Sequence, residues 1–180
     1  MLNFSAAKAK LLVEHPYFGT LASALEIIPN DNIETFSSQD NRFEYRDDFF
    51  KTLNEGEISF ALANAAMHTI LSHPARRSSR SPWLWHMACD HAINGMLIDN
   101  GFTPPIKITY EERFTHKYAE EIYEILKDEI THDEMNDRDS DGRRTDETLD
   151  EKLRSAQNEQ LAQNALEKAE SMGSLPEGLE

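Results

Sequence analysis

The stretch from position 64 to position 68, Asn-Ala-Ala-Met-His, has the spacing of a helical metal-binding motif. In the motif His-Glu-x-x-His, two imidazoles one helical turn apart bind zinc and the glutamate activates a metal-bound water. Here Asn64 stands where the first histidine belongs and Ala65 where the glutamate belongs, so only His68 is retained. An amide oxygen is a far weaker zinc ligand than an imidazole, and alanine cannot act as a base. The pattern predicts a metal-site scaffold without its general base.

A second set of polar side chains recurs every four residues at His86, Asp90 and Asn94, within an otherwise apolar segment. Such a stripe on a largely buried helix needs polar partners. Metal ligation by His68 and Asp90, with His86 or Asn94 hydrogen-bonded behind the ligands, would supply them. A metal-free explanation is also open: His68 bonds to Asp90, and Asn94 satisfies loop carbonyls. His73, next to Pro74, is predicted to be a helix-end residue and not a ligand.

Caps and breaks predict the elements that must position these side chains. Asn54 and Glu57 form a capping box and Pro74 ends the following helix, so a helix is predicted over 55–73. Ser81 and Pro82 start the next helix, which ends near Gly101. The remaining predictions are helices over 5–14 (capped by Ser5), 119–127 and 147–172, and short strands over 26–28, 33–36 and 42–45. The expected fold class is α+β, mainly helical, with a small antiparallel sheet and a C-terminal helical extension.

Composition excludes several kinds of partner. The 180 residues carry a formal net charge of -15, so phosphate backbones and anionic lipid would repel the surface, and neither nucleic acid nor membrane is an expected partner. No apolar run is long enough to span a bilayer. The single cysteine, Cys89, rules out an intramolecular disulfide framework and indicates a cytoplasmic location.

An abrupt change in composition divides the chain. Residues 128–151 hold eleven acidic and three basic side chains, a net charge of -8, with few apolar residues. We therefore expect a domain over 1–127, an acidic linker over 128–146 and a helical extension over 147–180 that leads to a missing second domain. Within the linker, residues 137–142 resemble half of a calcium loop, but Arg144 and Thr148 replace the expected apolar residue and glutamate, so calcium binding is not expected.

Several spaced motifs resemble one known family. They are the segments 15–21 (His-Pro-Tyr-Phe-Gly-Thr-Leu), 67–74 (Met-His-Thr-Ile-Leu-Ser-His-Pro), 85–94 (Trp-His-Met-Ala-Cys-Asp-His-Ala-Ile-Asn), 100–102 (Asn-Gly-Phe), 119–123 (Ala-Glu-Glu-Ile-Tyr) and 173–176 (Gly-Ser-Leu-Pro), together with the pair Arg76 and Arg77. In combination they resemble the putative metallopeptidase domain of bacterial and phage proteins, which is usually followed by a von Willebrand factor A-like domain. The resemblance implies a zincin-like α+β fold and an N-terminal portion of a longer protein.

The resemblance also implies roles for individual positions. Metal ligands would lie at positions 64 and 68, a catalytic glutamate at 65, and a third ligand at Asp90. Asn64 and Ala65 depart from this pattern, so the chain is predicted to be hydrolytically inactive, and zinc binding is expected to be weakened or lost. The sequence leaves open whether the departure is natural or engineered.

A non-catalytic alternative follows from the same departure. The domain would then be a protein-interaction module that acts with the von Willebrand factor A-like partner domain or with another peptide or protein. The basic cluster Arg76, Arg77 and Arg80 is expected to balance nearby carboxylates, or else to bind an acidic partner segment.

Overall fold

The computed structural model describes residues 2–71, 74–105, 108–130 and 149–178. Its helices are α1 (Phe4–Glu14), α2 (Pro16–Ser23), α3 (Asp47–Phe50), α4 (Glu55–Leu71), α5 (Pro74–Arg77), α6 (Pro82–Asp99), α7 (Ala119–Glu129) and α8 (Leu149–Ser171), with a 3-10 turn at Glu112–Phe114. The strands are β1 (Glu26–Pro29), β2 (Phe36–Gln39) and β3 (Arg42–Tyr45). This is the mainly helical α+β class that the sequence predicted. The expectations for His73 and for the calcium-like loop at 137–148 fall outside the described residues, as does most of the expected acidic linker.

The three strands form a mixed sheet in the order β1-β3-β2, which corrects the prediction of a wholly antiparallel one. β2 and β3 are an antiparallel hairpin, whereas β1 pairs with β3 in parallel. The physical reason lies in the path of the chain. The connection after β1 reverses its direction and the hairpin reverses it again, so β3 runs with β1 and lies between the other two strands.

The second strand also lies later than predicted, at Phe36–Gln39 and not at 33–36. Asp40 and Asn41 connect β2 to β3 and both have positive φ, 51° and 65°. A two-residue hairpin turn with positive φ at both positions favours aspartate and asparagine. This turn pairs Gln39 with Arg42 and so fixes the register. The polar sequence Ser37-Ser38-Gln39, which lies beyond the strand predicted over 33–36, is therefore part of β2.

α4 is the central helix, in contact with α1, α2, α6, α8 and β2. Every residue from Ser59 to His68 is buried, so this helix is enclosed by other elements on most of its circumference. Its predicted capping box is present: Asn54 Oδ1 accepts from the Glu57 backbone N–H at 3.0 Å, and Glu57 Oε2 accepts from the Asn54 N–H at 2.8 Å. The start of α4 is therefore fixed by local sequence.

α6 lies between α4 and α7. Its predicted cap is present, since Ser81 Oγ accepts from the Leu84 backbone N–H at 3.2 Å, and Gly101 beyond its end has a φ of 84°. Cys89 is fully buried within it. At the N-terminus, by contrast, Asn3 and not Ser5 caps α1, which begins at Phe4. Among the described helices, none combines the length and hydrophobicity needed to cross a bilayer.

The C-terminal helix α8 packs against α2 and α4. Ala165 and Ala169 are its fully buried residues among those whose side chains are described, while Ala156 is exposed. The predicted extension is thus helical, and small side chains allow it to lie close to the rest of the domain.

Candidate metal centre

α4 and α6 lie side by side and form two walls of a cleft of about 510 Å³. Asn64 and His68 line it from α4, and His86, Asp90 and Asn94 line it from α6. β2 lines the same cleft, which the sequence did not predict because this segment was not recognised as a strand. All of the predicted polar site residues therefore line one space.

His68 and Asp90, the two side chains expected to meet from neighbouring helices, are in direct contact. His68 Nε2 lies 2.7 Å from Asp90 Oδ1. The His68 side chain is 6% exposed and that of Asp90 is 24% exposed. A short contact between a nearly buried imidazole and a carboxylate is an interaction that either a structural pair or a metal centre would use.

His86 lies in the same cluster. Its ring stacks on that of His68, with the centroids 4.7 Å apart and the planes inclined by 20°. His86 Nε2 is 3.6 Å from Asp90 Oδ2, the carboxylate oxygen that does not contact His68. One ligand atom from each of the three residues lies within 4.8 Å of the others. His86, which was predicted to lie behind the ligands, thus belongs to the same cluster as His68 and Asp90.

The cluster favours an ionised carboxylate and a neutral outer imidazole. Burial would raise the pKa of Asp90, but the hydrogen bond to His68 and the nearby charges of His68, His86 and His91 outweigh it and lower that pKa. Loss of hydration and the neighbouring His68 lower the pKa of His86, against the attraction of Asp90. Because 60% of the His86 side chain is exposed, solvent screens this effect. Carboxylate and neutral imidazole are the protonation states that bind metal.

Asn64 is held within a chain of hydrogen bonds. Its Nδ2 donates to Asn94 Oδ1 at 2.8 Å, and Asn94 Nδ2 donates to the Thr109 carbonyl at 2.9 Å. Asn94 therefore satisfies a loop carbonyl, as the metal-free explanation predicted. Ala65 is fully buried in the core, so its side chain brings only a methyl group where the motif has a carboxylate.

His91 and the arginines of the basic cluster lie outside the three-residue cluster. His91 is buried against Phe114, with its Nε2 3.9 Å from Glu111 Oε1. Arg76 forms a two-pronged ion pair with Glu120, at 2.8 and 3.0 Å. Its guanidinium, like that of Arg80, also lies over the Trp85 ring. Arg76 therefore balances a carboxylate, as expected.

Two imidazoles and one carboxylate suit a zinc-type ion with an open coordination position. Ligand atoms of a tetrahedral zinc site are separated by about 3.3 Å, given metal–nitrogen distances near 2 Å. The observed contacts of 2.7 and 3.6 Å lie on either side of this value. They are made to different oxygens of Asp90, so the side chains would have to rotate to bring one carboxylate oxygen and both imidazoles around an ion.

The fold and the cluster define a mainly helical α+β domain with a candidate metal centre between two helices. The chain matches a family model described as "Putative metallopeptidase domain" over residues 3–178. This match covers nearly the whole chain, which therefore belongs to the putative metallopeptidase domain family. No curated protein and no solved structure matches it. Membership of this family gives an independent reason to expect a metal in the cleft.

Proposed function

We propose that this chain is a member of the metallopeptidase family that has lost peptide hydrolysis and holds extended peptide segments in its cleft. The observation that carries the proposal is the state of the helix motif. Asn64 is hydrogen-bonded to Asn94, and Ala65 offers no base. A positioned general base contributes about 10²–10⁴-fold to such reactions, so its loss should slow hydrolysis by a factor of that size.

The remaining carboxylates of the cleft are poor substitutes for this base. Asp90 and Glu34 are the acidic residues among those that line it. Asp90 is already engaged by two imidazoles, and a ligand to the metal cannot also take the proton from a water bound there. Glu34 is exposed, so its carboxylate is solvated. A zinc ion held in the cleft would supply positive charge that polarises a bound carbonyl.

The second half of the proposal comes from β2, which is an edge strand of the described sheet. Ladder bonds alternate along a strand, and Gln39 pairs with Arg42 at the turn while the Thr35 carbonyl accepts from Arg46 N–H at 2.8 Å. The backbone groups of Phe36 and Ser38 therefore point away from β3, towards the free edge. An extended peptide can add to such an edge through main-chain hydrogen bonds.

The loss of hydrolysis is tested with a pool of short unstructured peptides, incubated with the protein in Zn²⁺ or in a chelator and analysed by mass spectrometry. We expect no chelator-sensitive cleavage. Cleavage that requires both zinc and His68 would contradict the proposal. The requirement for His68 is judged against His116→Ala, which removes a histidine outside the cleft. If such cleavage is found, Glu34→Gln would show whether the rim carboxylate serves as the base.

Peptide addition is tested with the same pool by fluorescence anisotropy, comparing Ser38→Pro with Ser38→Ala. Proline removes the outward N–H of the edge strand, whereas alanine removes only the hydroxyl. Loss of one main-chain hydrogen bond should weaken binding by about tenfold in the proline variant alone. Equal affinity in the two variants would show that peptides do not pair with this edge.

Two expectations from the sequence stay predictions. A von Willebrand factor A-like domain is the partner that the resemblance implies, and co-purification with that domain would test it. A cytoplasmic location rests on the single buried Cys89.

A further inference from the structure

We infer that His86 takes the coordination position that Asn64 has lost, so that the cleft binds a zinc-type ion through His68, His86 and Asp90. The inference concerns the same cleft as the proposed function, but it does not depend on peptide binding. It assigns a ligand set spread over two helices, with one ligand from α4 and two from α6, in place of the pair within one helix that the family motif uses.

The first support is the way in which the carboxylate is shared. Asp90 Oδ1 faces His68 Nε2 and Oδ2 faces His86 Nε2, so one acidic side chain engages both rings. The rings are stacked and nearly parallel, and each Nε2 atom lies near one oxygen of the same carboxylate. His86 and Asp90 are four residues apart on α6 and thus lie on one face of that helix.

The second support is that Asn64 is engaged elsewhere. Its amide donates to Asn94, which is itself bonded to the Thr109 carbonyl, and both asparagine side chains are nearly buried, at 6% and 3% exposure. Recruiting Asn64 as a ligand would disturb this chain of bonds. His86 can move without such a cost, because more than half of its side chain is exposed.

The third support is the chemistry of the donor set. Two imidazoles favour zinc over calcium or magnesium, which prefer oxygen ligands. Three protein ligands leave a coordination position open to the cleft, where exposed His86 and part-exposed Asp90 give an ion access.

The test measures zinc binding by calorimetry and counts imidazole ligands by X-ray absorption at the zinc edge. The wild-type protein should bind one Zn²⁺ per chain with two imidazoles. Removing a residue that only supports a ligand usually weakens metal binding about 10–100-fold, so loss of a direct ligand should exceed 100-fold. His68→Ala, His86→Ala and Asp90→Ala should therefore each weaken binding by more than about 100-fold, and Asn94→Ala by less.

A matched control is His116→Ala. His116 also lies beside a carboxylate, with its Nδ1 3.5 Å from Asp99 Oδ2, but it belongs to no described three-residue cluster. This variant should bind zinc like the wild-type protein. Circular dichroism melts check folding, and His86→Gln replaces His86→Ala if the alanine variant unfolds.

Three outcomes would overturn the inference: no zinc binding by the wild-type protein, a single imidazole in its spectrum, or unchanged affinity in a folded His86 variant. These outcomes are separable from failure of the proposed function. Cleavage of peptides by the wild-type protein would end the claim of lost hydrolysis without changing the ligand count. If the wild-type protein bound no zinc, peptide binding at β2 would still be decided by the anisotropy assay.

Discussion

Asn64 and Asn94 show how the cleft is organised where the motif departs from its expected residues. The two amides are buried and bonded to each other, and Asn94 continues to the Thr109 carbonyl. Buried polar groups are tolerated when they are hydrogen-bonded. The asparagine at position 64 therefore has a structural partner on the facing helix, whatever its origin.

Asn94 takes part in two of these hydrogen bonds and Asn64 in one, so their substitution should lower stability by different amounts. Asn94→Ala leaves two groups without their partners, the Asn64 amide and the Thr109 carbonyl, whereas Asn64→Ala leaves only one. An orphaned buried group costs about 1–3 kcal/mol, but Thr109 is exposed and water can reach its carbonyl, so Asn94→Ala should lower the free energy of unfolding more than Asn64→Ala does, by less than a factor of two. Urea unfolding of metal-free protein measures both, and equal losses would show that the Thr109 bond contributes little.

Part of this site could be predicted from residue spacing. His68 and Asp90 were expected to meet, because polar side chains on buried helices need partners and because the family resemblance implies that both are metal ligands, and they are in contact. The position of His86 beside them could not be predicted. It depends on how α4 and α6 pack and on the ring rotations that this packing allows, neither of which local sequence encodes.

At the scale of elements, α1 and α2 approach each other closely at Gly19. Gly19 on α2 faces the backbone of α1, where an added Cβ would overlap Leu12 and lie 2.7 Å from the carbonyl carbon of Leu11. Neither backbone can move aside without separating the helices. The absence of a side chain at Gly19 is thus a condition for this pair of helices.

Gly19→Ala should therefore be strongly destabilising, by at least about 3 kcal/mol, the upper end of the usual cost of overpacking. Gly95→Ala is the matched control on α6, since its Cβ would meet only the Tyr110 side chain at 3.4 Å. That variant should be neutral or more stable by up to about 1 kcal/mol, from helix propensity. Thermal unfolding compares the two, and similar melting temperatures would contradict the packing argument.

Prediction at this scale succeeded for the longer helices, missed the short helices α3 and α5, and misplaced one strand. Helix starts such as Asn54 and Ser81 carry their own caps, so sequence sets them locally. β2 contains Ser37, Ser38 and Gln39, whose types do not favour a strand. Pairing with β3 overrides that preference, because the register comes from the turn and the backbone supplies the bonds.

At the scale of the whole molecule, α8 packs against α2 and α4. Its contact is made by small residues, Ala165 and Ala169, both fully buried. The Asn158 side chain also donates to the Thr69 carbonyl of α4 at 3.4 Å. A segment expected as an extension of the domain is thus packed on the helix that carries His68.

Ala165→Glu should release α8, because it places a charge in a fully buried position, and should cost at least about 2 kcal/mol. Ala156→Glu, at an exposed position of the same helix, adds the same charge and should cost little. Hydrogen exchange should show faster exchange along α8 in the first variant only. Unchanged protection there would mean that α8 is held by other contacts.

The sequence by itself determined the longer helices, the caps at Asn54 and Ser81, the motifs of the family and the helical positions of His68 and Asp90. These features follow from local capping and from helical spacing, which short stretches of chain encode. Tertiary structure decided the mixed sheet, the position of β2 beside the cleft, the bond between Asn64 and Asn94 and the place of His86 within the metal-type cluster. These features depend on which surfaces of distant elements pack together. That packing is set by the burial of apolar side chains and by the fit between elements over the whole chain.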